Sequence, residues 1–271
     1  MTVRRISRRM FLNDLGKGVV AVAVFGPLVA ACSSDSERAT SSTEPSATEP
    51  PATNAPTSAT TTPADIATSE PTEDDFPGTW SRVLLGNVSA YVLARGDKAV
   101  VVDTGNPGSA DDIENALTAV GLDWGGVGHV ILTHLHPDHI GSLSAVMTAA
   151  SGAAAYAGEA DIGAMDSPRP INAVSDGDEV FGLEIVETPG HTVGHISAYD
   201  SNNKVLVAGD ALNGTDGGVS GANPQFTPDM PTANESVKKL AGLDFDTAYF
   251  GHGEPVLSGA NELMAALAAD L

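Results

Sequence analysis

The densest group of metal-ligating side chains in this 271-residue sequence is the segment THLHPDH at residues 133–139. It follows the apolar run Val130–Leu132, which predicts a buried strand. In an extended chain alternate residues point to the same side, so the first two histidines share one side, while a turn at the proline lets the aspartate and the last histidine face another. One segment can therefore supply two adjacent metal ions. Its four potential ligands are His134, His136, Asp138 and His139.

Three further potential ligands lie at the ends of predicted strands and next to glycine. A residue flanked by glycine can adopt backbone conformations that others avoid and lets a metal approach closely. Imidazole and carboxylate are the ligands expected for zinc and related divalent ions, and no cysteine lies nearby to form a thiolate site. Burying such groups together without a cation would leave costly unpaired polar atoms. These three residues are His191, Asp210 and His252.

These seven residues in this order, together with the strand that ends in VVDTG at 101–105, resemble the metallo-β-lactamase superfamily across residues 76–271. The resemblance implies that one divalent ion is bound by His134, His136 and His191, and a second by Asp138, His139 and His252. Asp210 matches the carboxylate that bridges both ions. We expect Asp103 to orient a ligand histidine by accepting its second ring proton, and His195 resembles a histidine that supports the ligands without binding the metal.

The complete ligand set resembles the binuclear hydrolases of the superfamily and is less similar to its mononuclear, iron-dependent dioxygenases. Zn²⁺ is the expected cofactor at both positions, with iron and manganese as alternatives. The resemblance also implies the fold, an α/β four-layer αβ/βα sandwich in which two mixed β-sheets pack face to face, helices lie outside, and the metals lie at one edge of the sheets.

Two divalent ions can lower the pKa of a shared water from 15.7 toward roughly 7, which creates a hydroxide nucleophile at neutral pH. We expect this bridging hydroxide to cleave a small ester-like substrate, with a neutral lactone preferred. Asp138 and Asp210 are the candidate catalytic residues, because either could move the proton. Thioesters and β-lactams are the alternative substrates, although true β-lactamases usually carry Cys or Ser at the position of Asp210. The alternative to an enzyme is a lipoprotein that binds a metal or ligand without turnover.

Short β-branched runs alternate with segments of helical period, which by itself predicts only mixed α and β structure. Strands are predicted at 89–93, 98–103, 130–132, 184–187, 196–199, 205–208 and 247–250, and helices at 113–120, 143–150, 234–241 and 259–269. Two remaining segments, Asp166–Asp178 and Asn213–Pro231, are long enough to form a lid or pocket wall. Within them, Arg169 could meet a substrate carboxylate or be a solvated loop arginine, and Asn213 could donate to an oxyanion.

Residues 1–31 carry five basic residues and one acidic residue, then the apolar run Gly18–Ala31. This run fits a signal peptide and is shorter than the about 20 residues that span a bilayer. The sequence RRMFL at 8–12 resembles the twin-arginine export motif. The sequence VAAC at 29–32 resembles a bacterial lipobox, which implies lipidation of Cys32. Both predict an exported protein anchored by lipid to the outer face of a bacterial cell membrane.

From Ser33 to Asp75, 31 of 43 residues are Ser, Thr, Pro or Ala, a composition that cannot build a core and predicts a disordered tether. The expected domains are thus the signal peptide 1–31, the tether 32–75 and the folded domain 76–271. The net charge is −22, and the folded domain has 25 acidic and seven basic residues. This charge repels phosphate backbones, so we expect a small-molecule partner and no nucleic acid. The single cysteine excludes an internal disulfide.

Overall fold

The computed structural model describes residues Gly78–Leu271. The predicted signal peptide 1–31, the tether 32–75 and the lipidation residue Cys32 lie outside the described residues. Within the described range, no helix combines the length and the apolar character needed to cross a membrane.

The first of two β-sheets has six strands in sequence order. The first three strands pair antiparallel and the last three extend the sheet in parallel pairing, so the sheet is mixed. The strands are β1 (Thr79–Leu85), β2 (Val88–Arg95), β3 (Lys98–Val102), β4 (Val127–Leu132), β5 (Ala154–Gly158) and β6 (Ile171–Val174).

The second sheet has five strands and is also mixed, because its only parallel pair joins the last strand of the chain to the rest. In spatial order these strands are β13 (Thr247–Tyr249), β10 (Val205–Val207), β9 (Ile196–Asp200), β8 (Leu183–Glu187) and β7 (Glu179–Val180). A separate hairpin is formed by β11 (Leu212–Thr215) and β12 (Gly218–Gly221).

Six α-helices connect these strands in the described range. They are α1 (Ala110–Ala119), α2 (Pro137–Ile140), α3 (Leu143–Ala149), α4 (Glu159–Ile162), α5 (Met230–Leu240) and α6 (Ala260–Ala269). The part of the chain that the structure describes also has two 3₁₀ turns, at Trp124–Gly126 and Gly209–Ala211.

Side-chain alternation along the strands divides the core into three apolar layers. In β3, Val100 and Val102 belong to the cluster between the sheets, which includes Ile185 of the second sheet. Val101 points the other way and packs with α1 and α3. On the far side of the second sheet, Leu206 packs with α5 and α6. This order of helices, sheet, sheet and helices confirms the predicted four-layer α/β sandwich.

The predicted lid segment Asp166–Asp178 is only partly a loop, because it contains β6 at the edge of the first sheet. Both expectations for Arg169 were wrong. Its guanidinium donates hydrogen bonds to the backbone carbonyls of Met147, Ala150 and Ala153. The carbonyls at the end of a helix have no intrahelical partner, so Arg169 holds β6 against the end of α3 and is not a substrate contact.

The predicted loop Asn213–Pro231 contains most of the β11–β12 hairpin and the start of α5. This helix begins four residues before the predicted start because Asp229 caps it, accepting a hydrogen bond from the backbone N–H of Thr232 at 3.1 Å. Pro231 lies in the first turn, where its missing N–H costs no helical hydrogen bond.

A buried ion pair joins the two sheets. The side chains of Arg95, at the end of β2, and Asp200, at the end of β9, are both inaccessible, and Nη2 of Arg95 lies 3.3 Å from Oδ1 of Asp200. Nε1 of Trp80 donates to the other carboxylate oxygen at 2.9 Å, and the backbone N–H and side-chain amide of Asn203 also donate to this carboxylate. Asp200 thus receives hydrogen bonds from β1 and from the turn that follows β9.

Replacing Asp200 by Ala is expected to destabilise the folded protein by about 3 to 5 kcal/mol, because it leaves the buried Arg95 guanidinium without its counter-ion. Urea denaturation followed by circular dichroism measures this loss. The matched control is Asp244→Ala, which removes an exposed carboxylate paired with Lys204 and should leave the unfolding midpoint almost unchanged. Equal midpoints for the two variants would contradict a role for Asp200 in joining the sheets.

Candidate metal centre

Three imidazole nitrogens converge on one point at the end of β4. Nδ1 of His136 lies 3.0 Å from Nε2 of His134 and 2.9 Å from Nε2 of His191. The potential ligand atoms of these residues all lie within 4.8 Å of one another. We call His134, His136 and His191 the first cluster.

A second group of ligand atoms lies beside the first. Nε2 of His252 lies 3.3 Å from Oδ2 of Asp138, and the ligand atoms of these two residues and His139 lie within 4.8 Å of one another. We call Asp138, His139 and His252 the second cluster. Pro137 occupies the first turn of α2, and this short helix stands where the sequence predicted a turn that lets Asp138 and His139 face another direction.

Asp210 lies between the two clusters. Its Oδ2 is 3.4 Å from Nε2 of His191 in the first cluster and 3.4 Å from Nε2 of His252 in the second. Its Oδ1 is 3.3 Å from Nε2 of His139. The structure therefore brings all seven sequence-predicted ligands together, with the predicted bridging carboxylate in the central position.

Protein oxygen atoms hold the outer nitrogens of four of these rings, so the inner nitrogens point at the site. His139 pairs with a carboxylate and His252 donates to a backbone carbonyl, whereas the other two rings contact threonine hydroxyls. The pairs are His139 with Asp103 at 2.8 Å, His252 with Asn87 O at 2.7 Å, His134 with Thr133 at 3.0 Å and His191 with Thr227 at 3.0 Å.

Asp103 combines an unusual backbone with three hydrogen bonds. Its φ is 61°, a left-handed conformation that costs a side-chain-bearing residue about 1 to 3 kcal/mol and persists only where the surroundings enforce it. The carboxylate accepts hydrogen bonds from the backbone N–H and hydroxyl of Thr133, both at 2.8 Å, and faces Nδ1 of His139. Asp103 therefore fixes the ring of His139 against the end of β4 and does not face the cluster interior.

His195 lies behind the clusters and holds the backbone of Asp210. Its Nε2 accepts a hydrogen bond from the backbone N–H of Asp210 at 3.0 Å, and its Nδ1 lies 2.8 Å from the hydroxyl of Thr188. Both ring nitrogens are thus engaged outside the clusters, which is the position that the sequence predicted for this histidine.

The site contains two buried polar atoms without a hydrogen-bond partner, Nε2 of His139 and Oδ1 of Asp210, which face each other. Unpaired buried polar atoms are costly, and a divalent cation between them would bind both lone pairs. Gly251 permits this arrangement, because a Cβ there would lie 2.1 Å from Oδ1 of Asp210. The residues present therefore fit a pair of divalent ions.

Burial and charge separate the histidines by pKa. Burial lowers the pKa of His134 well below its usual range, and that of His191 to about 4. Hydrogen bonds to Asp138 and Asp210 raise the pKa of His252 to about 10. For His139, burial opposes the charged form, but the carboxylates of Asp103 and Asp210 outweigh it and raise the pKa to about 10. Without metal, the second cluster thus carries positive charge beside its carboxylates.

The clusters line a cavity of about 570 Å³, a size suited to a small molecule. The segment 213–231, predicted as a pocket wall, supplies Asn213, Asn223 and the 59% exposed ring of Phe226. One amide hydrogen of Asn213 is engaged, since its Nδ2 donates to the carbonyl of Gly221. Asn87, in the β1–β2 turn, was missed because no local pattern marks a turn residue that only the fold brings to the cavity.

Comparison with known proteins agrees with this geometry. The family model described as metallo-beta-lactamase superfamily matches residues 83–252. The probable metallo-hydrolase YflN of Bacillus subtilis (strain 168) is 30% identical over 205 residues, which cover 60% of this chain and 77% of that protein.

Two relatives are named for what they cleave. Hydroxyacylglutathione hydrolase of Aeromonas hydrophila is 29% identical over 175 residues, 62% of this chain and 61% of the relative. Thioesterase pkgB of Emericella nidulans is 26% identical over 176 residues, 64% of this chain and 48% of the relative. The chain thus spans less than two thirds of the length of both.

A solved structure has the same fold. TTHA1623, crystallised in a di-iron-bound form, is 25% identical with a TM-score of 0.58, and the match covers 70% of this chain and all of that one. The family match covers more than half of the chain and includes all seven converging residues, the last of which is His252. The chain therefore belongs to the metallo-β-lactamase superfamily.

Proposed function

We propose that this protein is a binuclear metal-dependent hydrolase. The observation that carries the proposal is the carboxylate of Asp210, placed between two clusters of inward-pointing ligands and facing the unpaired Nε2 of His139. In this assignment the first cluster would hold one divalent ion and the second cluster the other, and Asp210 would serve as a ligand between them. Zn²⁺ is the proposed ion, and the di-iron form of TTHA1623 keeps iron as the alternative.

When bound, two divalent ions polarise a carbonyl and lower the pKa of a coordinated water into the neutral range. The chain's own contribution is to orient the ligands and to handle the proton. Asp138 lines the cavity with a 32% exposed side chain, whereas the side chain of Asp210 is 9% exposed. Asp138 is therefore better placed to exchange a proton with the substrate, and Asp210 serves to connect the clusters.

The cavity lining favours a small, uncharged ester-like substrate, for which a lactone is our preferred class. Among residues 78–271, those that line the cavity include no lysine or arginine to pair with an anionic group. The side-chain amides of Asn87 and Asn223 can bind a carbonyl or hydroxyl oxygen, and the exposed ring of Phe226 can pack against an acyl chain.

Thioesters are the second candidate class, favoured by the names of two relatives, hydroxyacylglutathione hydrolase and thioesterase pkgB. β-Lactams are third, because the carboxylate of common β-lactams would find no lysine or arginine among the described residues that line the cavity. A protein that only binds metal would need no such cavity, since closed structural sites leave no open coordination position. Asp138 and His252 are instead partly exposed at the cavity.

Replacing His134 by Ala is expected to lower the rate of hydrolysis by a factor of about 100 or more, because it removes a buried ligand of the first cluster. The measurement follows proton release by the zinc-loaded protein on acyl-homoserine and simple lactones, then on thioesters and β-lactams. His129→Asn is the matched control, since this histidine lies in β4 outside both clusters. Turnover of thioesters alone would overturn the lactone preference, and no turnover of any class by the loaded wild type would overturn the hydrolase proposal.

Replacing Asp103 by Asn is expected to weaken binding of one divalent ion about 10 to 100-fold, because the ring of His139 loses its carboxylate partner. Competition with a chromophoric chelator measures both binding constants. Asp97→Asn, which changes an exposed carboxylate in the turn after β2, is the matched control. Two unchanged constants in the Asp103 variant would contradict the assignment of His139 as a ligand.

We also propose that the protein is exported by the twin-arginine route and anchored at the outer face of a bacterial cell membrane through lipidated Cys32. The support is the RRMFL sequence at 8–12 and the VAAC sequence at 29–32. Multiple acyl chains on one N-terminus anchor far more firmly than one chain.

Replacing Cys32 by Ala is expected to move the protein from the membrane fraction to the soluble fraction of the expressing bacterium, because the acylated thiol is lost. Immunoblots of the two fractions measure the distribution. In a second experiment, the double substitution Arg8→Lys and Arg9→Lys should block export. Continued membrane retention of the Cys32 variant would count against lipid anchoring.

A further inference from the structure

A buried carboxylate outside both clusters connects the two loops that carry the first cluster. Asp161, in α4, is 1% exposed. Its Oδ2 accepts hydrogen bonds from the backbone N–H of Leu135 at 3.1 Å and from the hydroxyl of Thr192 at 2.6 Å. Its Oδ1 accepts a hydrogen bond from the backbone N–H of Gly194 at 2.8 Å.

Two of these three donors are direct sequence neighbours of first-cluster histidines, and the third, Gly194, lies in the same loop as His191. Leu135 separates His134 from His136, and Thr192 follows His191 directly. A single carboxylate therefore holds the chain on both sides of the point where the three ring nitrogens of the first cluster converge.

Glycine makes this close contact possible. A Cβ on Gly194 would lie 2.6 Å from the backbone nitrogen of Asp161 and 2.8 Å from its Oδ1. A Cβ on Gly158, just before α4, would lie 2.1 Å from the carbonyl oxygen of Gly194. Side chains at either position would push the His191 loop away from α4.

We propose that Asp161 is a positioning residue that sets the spacing of the first cluster by joining the loop of His134 and His136 to the loop of His191. This inference rests on the proposed function, because it assigns the first cluster to a metal ion. The second cluster has its own partners, Asp103 behind His139 and Asn87 behind His252, and makes none of the hydrogen bonds described for Asp161. Loss of Asp161 should therefore affect the two metal positions unequally.

The carboxylate is needed because three donors point at its two oxygens. An asparagine has one oxygen, so its amide N–H groups would face a donor at the other position and leave at least one backbone N–H buried without an acceptor. Thr192→Val removes one donor at nearly constant volume, and Thr192→Ser keeps that donor.

The test measures zinc and cobalt binding to the full-length protein in two backgrounds. His252→Ala disables the second cluster and His191→Ala disables the first, so each background reports on one position. In the His252→Ala background, where only the first cluster is intact, Asp161→Asn should weaken metal binding about 10 to 100-fold and alter the visible spectrum of bound Co²⁺. In the same background, Thr192→Val should weaken metal binding less than Asp161→Asn does. Thr192→Ser, which keeps the hydroxyl donor, should leave metal binding unchanged. In the His191→Ala background, where only the second cluster is intact, Asp161→Asn should change metal binding less than twofold.

Glu159→Gln is the matched control, because it removes an exposed carboxylate from the same short helix. Equal weakening at both positions, accompanied by a lower free energy of unfolding of the metal-free protein, would reduce Asp161 to a structural residue and overturn the inference. Unchanged binding in both backgrounds would also overturn it. Failure of the unmodified protein to bind two ions would instead overturn the proposed function, and the inference with it.

Discussion

The interaction on which the site depends is the convergence of five imidazoles and two carboxylates, four of which are buried. Such a group of lone pairs and charges is stable only when each polar atom has a partner. In the described residues most of the outer atoms have one, whereas Nε2 of His139 and Oδ1 of Asp210 face each other unpaired. A cation between these two atoms would give both of them a partner. The polar interior is therefore organised around an ion that the chain itself does not supply.

The two sheets position these side chains by bringing loops of distant sequence to one edge of the sandwich. β4 leads into the HxHxDH segment, the turn after β8 carries His191, and the turns after β10 and β13 carry Asp210 and His252. Backbone contacts join these ends, such as the hydrogen bond from Ile196 N–H to the carbonyl of Thr133 at 2.9 Å. The apolar core fixes the strands, and the strand ends then fix the ligands.

Each cluster is held by its own set of buried partners. Asp103 adopts a left-handed backbone and orients His139, and Asp161 joins the loops of the first cluster. The β1–β2 turn and the segment 213–231 also line the cavity, and each holds one histidine, through the carbonyl of Asn87 behind His252 and the hydroxyl of Thr227 behind His191. Asn223 and Phe226 line the cavity but make none of the hydrogen bonds described for the ligands, so these two residues could differ while the ligand set is kept.

The sequence by itself determined the fold class and the identity of the seven converging residues. HxHxDH and the glycine-flanked His191, Asp210 and His252 are local patterns, so their capacity to bind metal can be recognised from the sequence alone. The sequence failed to predict the contacts of Arg169, because its acceptors are backbone carbonyls 16 to 22 positions away along the chain. It also missed Asn87 and Asp161, whose side chains have ordinary sequence surroundings. Only the tertiary structure could assign these residues, because a hydrogen-bond partner or a cavity wall is defined by distance in space, and a single sequence records only distance along the chain.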